Sequence, residues 1–374
     1  MVVQSHASAI GRTNMKVVIR VDASLDIGTG HVYRCLTLAD VLRSRGAECH
    51  FICREHSGHL MALIAERGYP VFSLGQPSTA HIVDALAHAH WLGVSQEQDA
   101  SECATLLQAL RPDWLIVDHY GLDVKWQAAL RQYVDKLVVI DDLADRHHLS
   151  DLLVDQNLGR TPCAYQHLVP SRSTLLIGPE YALLRPEFAQ LRSSSLQRRN
   201  LLTSPRQILV SMGGVDRPNA TALVLEALQD FVLTQSSHVC VIMGATAPWT
   251  DAVSSLLQRL SFSSEVLVNV RDMARLMADC DLAIGAAGGS SWERCCLGLP
   301  TLLVTLADNQ LPGAKALHEA NAARWLGGMD AIARNLPPAF KEVTQALGVF
   351  SQNAATLCDG LGAERVASYM LGVK

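Results

Sequence analysis

The sequence predicts an α/β protein built as two doubly wound domains facing a central cleft, and three observations carry that reading. At 374 residues the chain exceeds what one core usually fills, so length favours two domains of roughly 150–200 residues each. Short apolar runs rich in β-branched residues alternate with amphipathic stretches, which is the punctuation of βαβ units. The alternation then restarts after a polar, basic, proline-ended segment at 193–205, SSSLQRRNLLTSP, read as the linker between domains at 15–192 and 206–374.

Composition narrows the function classes. Hydrophobic residues make up 49 % of the chain and charged residues 18 %, with a net charge of −5, an ordinary globular balance with ample core. No basic cluster invites nucleic acid, and no apolar run approaches the ~20 residues of a membrane span. Residues 1–14, MVVQSHASAIGRTN, lack the basic start and apolar core of a secretory signal and read as a loose extension. The ten cysteines lie within apolar patterns and not in paired framework spacings, so reduced, buried thiols in a cytoplasmic protein are expected.

Taken in order, KVVIRVDA reads as the first strand, 31–45 as a helix, ECHFICRE as a strand, 58–67 as a helix and PVFSL as a strand. After a polar segment around 75–100, where SQEQDASE caps the next helix, come DWLIVDHYG, a helix at 123–132 and KLVVIDDL. Such continuous apolar runs suit strands covered on both faces, hence a parallel sheet. Leu152-Leu153-Val154 and LLIGPEYALLRPEF complete the first half. In the second half RQILVSMGG, HVCVIMG, SEVLVNV, the stretch 281–284 and TLLVTL read as strands, separated by helical stretches such as PNATALVLEALQD, PWTDAVSSLLQRL and MARLMADC.

Ligands of parallel sheets bind beyond the carboxyl ends of the strands. The residues that close the strands are therefore the ones to inspect: Asp22, then Asp118-His119-Tyr120-Gly121, then Asp141-Asp142. The stretch DASLDIGTGHVYRC joins strand to helix through Gly28 and Gly30, which allow a sharp turn and close approach of a ligand. His31 follows at the helix start, a good position for a general base. A dinucleotide fingerprint needs a third glycine where Tyr33 stands, so no cofactor is expected. In the second half, Gly213-Gly214 closes one strand, and Gly288-Gly289 feed Ser290-Ser291 at a helix start that can hold a diphosphate. Glu293, one turn in, can accept hydrogen bonds from ribose hydroxyls, and Asp308-Asn309-Gln310 reach the same rim.

Plainer roles stand beside these. Asp118 can simply orient a neighbour, His119 can cap a sheet end and Tyr120 can pack there, Gly213-Gly214 can be a tight turn, and Trp292 with its two following cysteines reads as core. Asp141-Asp142 and His147-His148 have the composition of a metal site, but such doublets usually straddle two faces. Cys49 and Cys53 lack a second ligand pair, so no metal is expected.

Several of these motifs, DASLDIGTGHVYRCLTLA, IVDHYGLD, VIDDLADRHHLSDLLVDQN, GPEYALLRPEF, SMGGVDRPN and GAAGGSSWE, occur in one order between Lys16 and Gln310. Together they resemble the PseG family, the UDP-2,4-diacetamido-2,4,6-trideoxy-β-L-altropyranose hydrolases of pseudaminic acid biosynthesis. The resemblance implies a GT-B fold of two Rossmann-like domains, like that of the MurG-type glycosyltransferases. It also implies metal-independent hydrolysis of a UDP-sugar, with inversion at the anomeric carbon. The implied catalytic residues are His31 as base and Tyr120 near the sugar. The implied substrate-binding set is Gly28, Gly30, Asp118, His119, Arg185, Gly213, Gly214, Gly288, Gly289, Ser290, Ser291, Glu293, Asn309 and Gln310. A GT-B glycosyltransferase with a UDP-sugar donor and a non-catalytic UDP-sugar binding protein are the alternatives. Exhaustive EDTA treatment is expected to leave turnover of the UDP-sugar unchanged; a loss that Mg²⁺ or Mn²⁺ restores would overturn the expectation.

Overall fold

The computed structural model describes residues 15–77, 85–229 and 237–373. The first half forms a seven-stranded sheet from β1 (Lys16–Val21), β2 (Glu48–Cys53), β3 (Val71–Ser73), β4 (Trp114–Asp118), β5 (Lys136–Ile140), β6 (Leu152–Asp155) and β7 (Thr174–Ile177), in the order β3-β2-β1-β4-β5-β6-β7. The second half forms a six-stranded sheet from β8 (Gln207–Ser211), β9 (His238–Met243), β10 (Ser263–Val268), β11 (Leu282–Ala286), β12 (Thr301–Val304) and β13 (Arg324–Gly327), in the order β10-β9-β8-β11-β12-β13. Neighbouring strands pair in parallel throughout both sheets.

The apolar runs are continuous because each strand serves two cores. In β1, Val17, Ile19 and Val21 enter one cluster with Val32, Leu38 and Leu42 of the helix Gly30–Ser44. Val18 points the other way, into a cluster with Leu115, Val117 and Trp126. Ser95 caps the helix Gln96–Leu110, its Oγ accepting from the Gln98 N–H at 3.2 Å, as SQEQDASE led us to expect. The helix expected at 58–67 is shorter, Met61–Glu66, because Gly58 takes a left-handed conformation at φ +84° in the preceding turn.

Strand order reverses between β1 and β4 in the first sheet and between β8 and β11 in the second. A crevice opens at each reversal, because adjacent connections leave toward opposite faces. The loops that flank the two crevices are the ones that carry Gly28, Asp118, Gly213 and Gly288.

Residues 193–199 of the segment read as a linker form the end of a helix, Pro186–Arg199, that lies against the second sheet's layer. Its basic character has a structural use. Arg199 is buried and donates to three carbonyls, those of Leu297 at 3.0 Å, Cys280 at 2.5 Å and Met277 at 2.8 Å. Phe188 of the same helix shares a core with Trp292, Cys295 and Leu303. The last helix, Gly362–Leu371, crosses the other way, and its Ala363, Val366, Ala367 and Met370 join the core of the first sheet. All ten cysteines carry free thiols, and all but Cys163 are buried. Among the described residues no helix is long and apolar enough to cross a membrane.

Val366 is completely buried between the last helix and the first sheet's layer. Val366→Asp is therefore expected to cost at least about 3 kcal/mol by placing an unpaired carboxylate in that core. Chemical denaturation monitored by circular dichroism checks it; an unchanged midpoint would show that the last helix contributes nothing to the first unit.

Candidate active site

The loop after β1 turns through Gly28, whose φ of +80° requires glycine. A Cβ at Gly28 or Gly30 would meet no atom within 4 Å, so the space over this loop is open. The helix starts at Gly30 with no side chain capping it from Thr29. His31 sits in its first turn, as the sequence indicated.

The His31 Nδ1 lies 2.6 Å from Asp118 Oδ1 at the end of β4. A carboxylate can only accept, so the shared proton resides on Nδ1, which leaves Nε2 as the nitrogen free of that bond. The approach of Arg34 Nη2 to the same Nδ1, at 3.2 Å, is then a contact and not a hydrogen bond. Arg34 instead grips Asp118 with both edges of its fork, Nε to Oδ2 and Nη2 to Oδ1, each at 2.6 Å. Its Nη1 donates to Asp142 Oδ2 at 2.6 Å. Burial alone would raise the Asp118 carboxyl, but the Arg34 guanidinium and His31 hold it well below the usual carboxylate range.

Tyr120 donates its hydroxyl to Asp142 Oδ2 at 2.5 Å. Burial and the Asp142 charge push its phenol well above the ordinary range, so it stays a neutral donor. Its ring meets the His31 imidazole edge-on, centroids 4.7 Å apart at 79°, and stacks on Trp91 at 5.5 Å. His31 is thus held by a charge at one nitrogen and by aromatic packing on its flank. His119 has turned away. Its Nδ1 accepts from the Gly121 N–H at 3.0 Å, and its Nε2 lies 3.5 Å from Asp22 Oδ2. Burial pushes its imidazole down to about 3, so it is neutral.

Across the cleft, Gly213 takes φ +92° with open space beside it. A Cβ on Gly214 would stand 3.0 Å from Thr29 Oγ1, so the glycine loops of the two sheets meet face to face. Asp26 and Arg217 form an ion pair between the same loops. Beyond β11, Gly288 and Gly289 precede Ser290 and Ser291 at the start of the helix Ser290–Cys296. The Gln310 side chain lies beside Gly288, while its Oε1 accepts from the Leu306 N–H at 2.9 Å. Asn309 is exposed in the adjoining turn, Asp308–Gln310.

Glu293 is half-buried, and its carboxylate carries no hydrogen bond among the described residues. Burial raises its pKa, opposed by Arg185 and Arg294. Arg185 itself donates to the Arg271 carbonyl at 3.3 Å. Trp292 belongs to the core, so it leaves the neighbouring Glu293 unobstructed. Arg294 lies buried beneath the loop and donates to both serine hydroxyls, to Ser290 Oγ at 3.2 Å and to Ser291 Oγ at 3.0 Å.

Asp141, Asp142 and His148 of the acidic and histidine doublets contact protein groups, while His147 is exposed. Asp141 accepts from Ala144 N–H at 2.8 Å and from Tyr165 Oη at 2.9 Å and ion-pairs with Arg146 at 2.9 Å, and His148 Nδ1 contacts Gln127 Nε2 at 3.0 Å. Among the described residues no three His, Cys, Asp or Glu side chains converge as a ligand set.

Sequence reasoning missed Arg34, Trp91 and Arg294. Arg34 was legible, since it stands three residues after His31 on the same helix face. Arg294 is likewise three residues after Ser291. Trp91 lies in a polar stretch without periodicity and gave no signal.

Residues 208–349 match the glycosyltransferase family 28 C-terminal domain. Over 305 residues, 79 % of the chain, it is 28 % identical to the uncharacterized protein MJ1062 of Methanocaldococcus jannaschii. It is 25 % identical over 318 residues to the spore coat polysaccharide biosynthesis protein SpsG of Bacillus subtilis, covering 84 % of each. Over 171 residues, 46 % of the chain, it is 29 % identical to the UDP-2,4-diacetamido-2,4,6-trideoxy-β-L-altropyranose hydrolase of Campylobacter jejuni. The alignments span 56 % of the archaeal relative's length and 52 % of the hydrolase's. Among solved structures, Acinetobacter baumannii MurG superposes with a TM-score of 0.67 at 15 % identity, over 96 % of this chain and all of that one. The UDP-GlcNAc 2-epimerase of Neisseria meningitidis, bound to UDP-GlcNAc, gives 0.58 at 11 % identity, over 96 % of this chain and all of that one. These likenesses show the fold, which is GT-B as expected.

Because the folded Asp118 pKa is depressed, the unfolded chain binds the extra proton. The carboxylate thus contributes stability that is complete above the unfolded value of about 3.9 and is lost as pH falls through and below it. Asp118→Asn is expected to flatten the acid limb of the stability curve, measured by urea denaturation between about pH 3 and 6. An equally steep limb in the variant would contradict the pairing.

Proposed function

We propose that the chain hydrolyses a UDP-linked 2,4-diacetamido-2,4,6-trideoxy sugar to free sugar and UDP, by attack of water at the anomeric carbon. The observation that carries this reading is the His31–Asp118 pair at the first sheet's switch point. A proton fixed on Nδ1 leaves Nε2 as a base, and the carboxylate behind it stabilises the imidazolium once formed. The match to family 28 and the partial likeness to the Campylobacter hydrolase support nucleotide-sugar chemistry and supply the choice of sugar.

In the proposed reaction the water oxygen bonds to C1 as His31 Nε2 takes its proton. The bond between C1 and the diphosphate oxygen breaks, and its electron pair leaves with UDP. The Ser290 and Ser291 hydroxyls, with the positive end of their helix dipole, receive the growing phosphate charge. Glu293 accepts from the ribose hydroxyls. Tyr120, committed to Asp142, positions the sugar side of the site and carries no proton in the step.

The match to a glycosyltransferase domain favours a second reading, transfer of the sugar to a hydroxyl acceptor. Supplying UDP-sugar and water alone separates the two, since a hydrolase turns over fully and a transferase only leaks. In ¹⁸O-water, read early, the label is expected in the sugar and not in UDP. His31→Gln is expected to lower kcat by about 10²–10⁴ while UDP affinity stays within a few-fold. Label in UDP, or a near-normal kcat in the variant, would defeat the mechanism.

A further inference from the structure

Arg294 is 1 % exposed, yet it makes no salt bridge among the described residues. Its donors reach only neutral oxygens: the Ala286 carbonyl at 2.7 Å, Ser291 Oγ at 3.0 Å and Ser290 Oγ at 3.2 Å. Its Nε has no partner. Other buried arginines are compensated. Arg20 and Arg54 pair with Asp22, Asp99 and Glu102. Arg199 donates to carbonyls at or just beyond the C-terminal ends of two helices, where the helix field is negative.

Arg294 has the opposite setting. Its guanidinium is drawn back to the start of its own helix, where the helix dipole already makes the field positive. Burial pushes its pKa down to about 10, as it does that of Arg199, with Cys295 and the neighbouring Glu293 carboxylate opposing the shift. Space was nevertheless made for it, because a Cβ on Gly285 would stand 2.6 Å from Nη1. A buried charge without an ion-pair partner is costly to hold in the interior. An arrangement of this kind is favoured when an anion arrives from outside.

We infer that Arg294 is a positioning residue for a diphosphate held over Gly288–Ser291: it donates to the lone pairs of the Ser290 and Ser291 hydroxyls, so that each O–H hydrogen points outward to a phosphate oxygen, and it supplies the counter-charge from below. The inference rests on the reading of this loop as the UDP site and adds the residue that makes the site selective for the diphosphate over the nucleoside.

The test is calorimetry on the full chain with UDP, inorganic pyrophosphate and uridine. Arg294→Met is expected to weaken UDP and pyrophosphate at least tenfold, to leave uridine within twofold, and to leave the melting temperature of the ligand-free protein unchanged or higher. Arg294→Lys, which keeps the charge and loses the fork, is expected to recover part of the pyrophosphate affinity. Equal losses for uridine and pyrophosphate would show a merely structural role, and unchanged pyrophosphate binding in Arg294→Met would overturn the inference. Should the Met variant fail to fold, the Lys variant decides alone: a few-fold loss confined to the phosphate ligands supports the inference, and equal losses or none overturn it. If the wild-type protein binds neither UDP nor pyrophosphate, the nucleotide reading itself falls; if it binds both and the variants match it, only the role of Arg294 does.

Discussion

One carboxylate, Asp118, holds the N-terminal side of the site together. It closes β4, fixes the His31 tautomer and neutralises Arg34, which reaches on to Asp142 beyond β5. Two strand ends and the first helix are thereby joined through a single buried group. Such a cluster is poor evidence of stability, since desolvating its charges offsets most of their attraction. Its value is geometric. Removing one member strands the others in the interior, so the set holds one arrangement, and the imidazole inherits that arrangement.

A second charged layer lies beneath. Arg20 links Asp22 to Asp99, Arg54 links Asp99 to Glu102, and the Trp126 indole donates to Asp99 at 2.9 Å. Asp22 Oδ2 lies 3.5 Å from Nε2 of both His56 and His119. These contacts fix the end of β1, from which the Gly28 loop departs. The N-terminal rim is therefore one ion-paired cluster upon another, suited to holding the imidazole still. The facing rim is different: among the described residues Arg294 makes no salt bridge, and the Glu293 carboxylate makes no hydrogen bond. The two rims thus differ electrostatically, with the Asp118-bound imidazole on one and Arg294, without an ion-pair partner, on the other.

Much of this was legible in the sequence, for physical reasons that also mark where legibility ends. Period-two burial on both faces of strands such as Val17-Val18-Ile19 forces continuous apolar runs, and those runs reveal parallel sheets. Glycine at a strand end is visible because Gly28 and Gly213 need left-handed backbone. Within the segment 193–205 arginine is ambiguous in sequence: a basic stretch does not reveal that the donors of Arg199 cap three buried carbonyls. The last helix shows only a local amphipathic pattern, and no local pattern says which sheet it will cover. His119 illustrates the same limit, since its position at a strand end was readable while the direction of its ring was set by Gly121 and Asp22, which act only in the folded chain.

The two switch points also constrain the proposed reaction. Each sheet offers ligands only the crevice at its own carboxyl edge, and the contact of Thr29 with Gly214 turns the two crevices toward one another. A UDP-sugar whose nucleotide lies on the second sheet must then present its anomeric carbon to the first. In the proposed reaction the leaving diphosphate departs toward Ser290 and Ser291 while water is activated from the side of His31. Attack and departure on opposite faces of one carbon invert it. Inversion in this reading follows from placing the base and the leaving-group site on different domains, and a covalent sugar intermediate would need a nucleophile on the His31 side in place of water. Asp118 is the carboxylate nearest to that role, and it is already committed to His31 and Arg34.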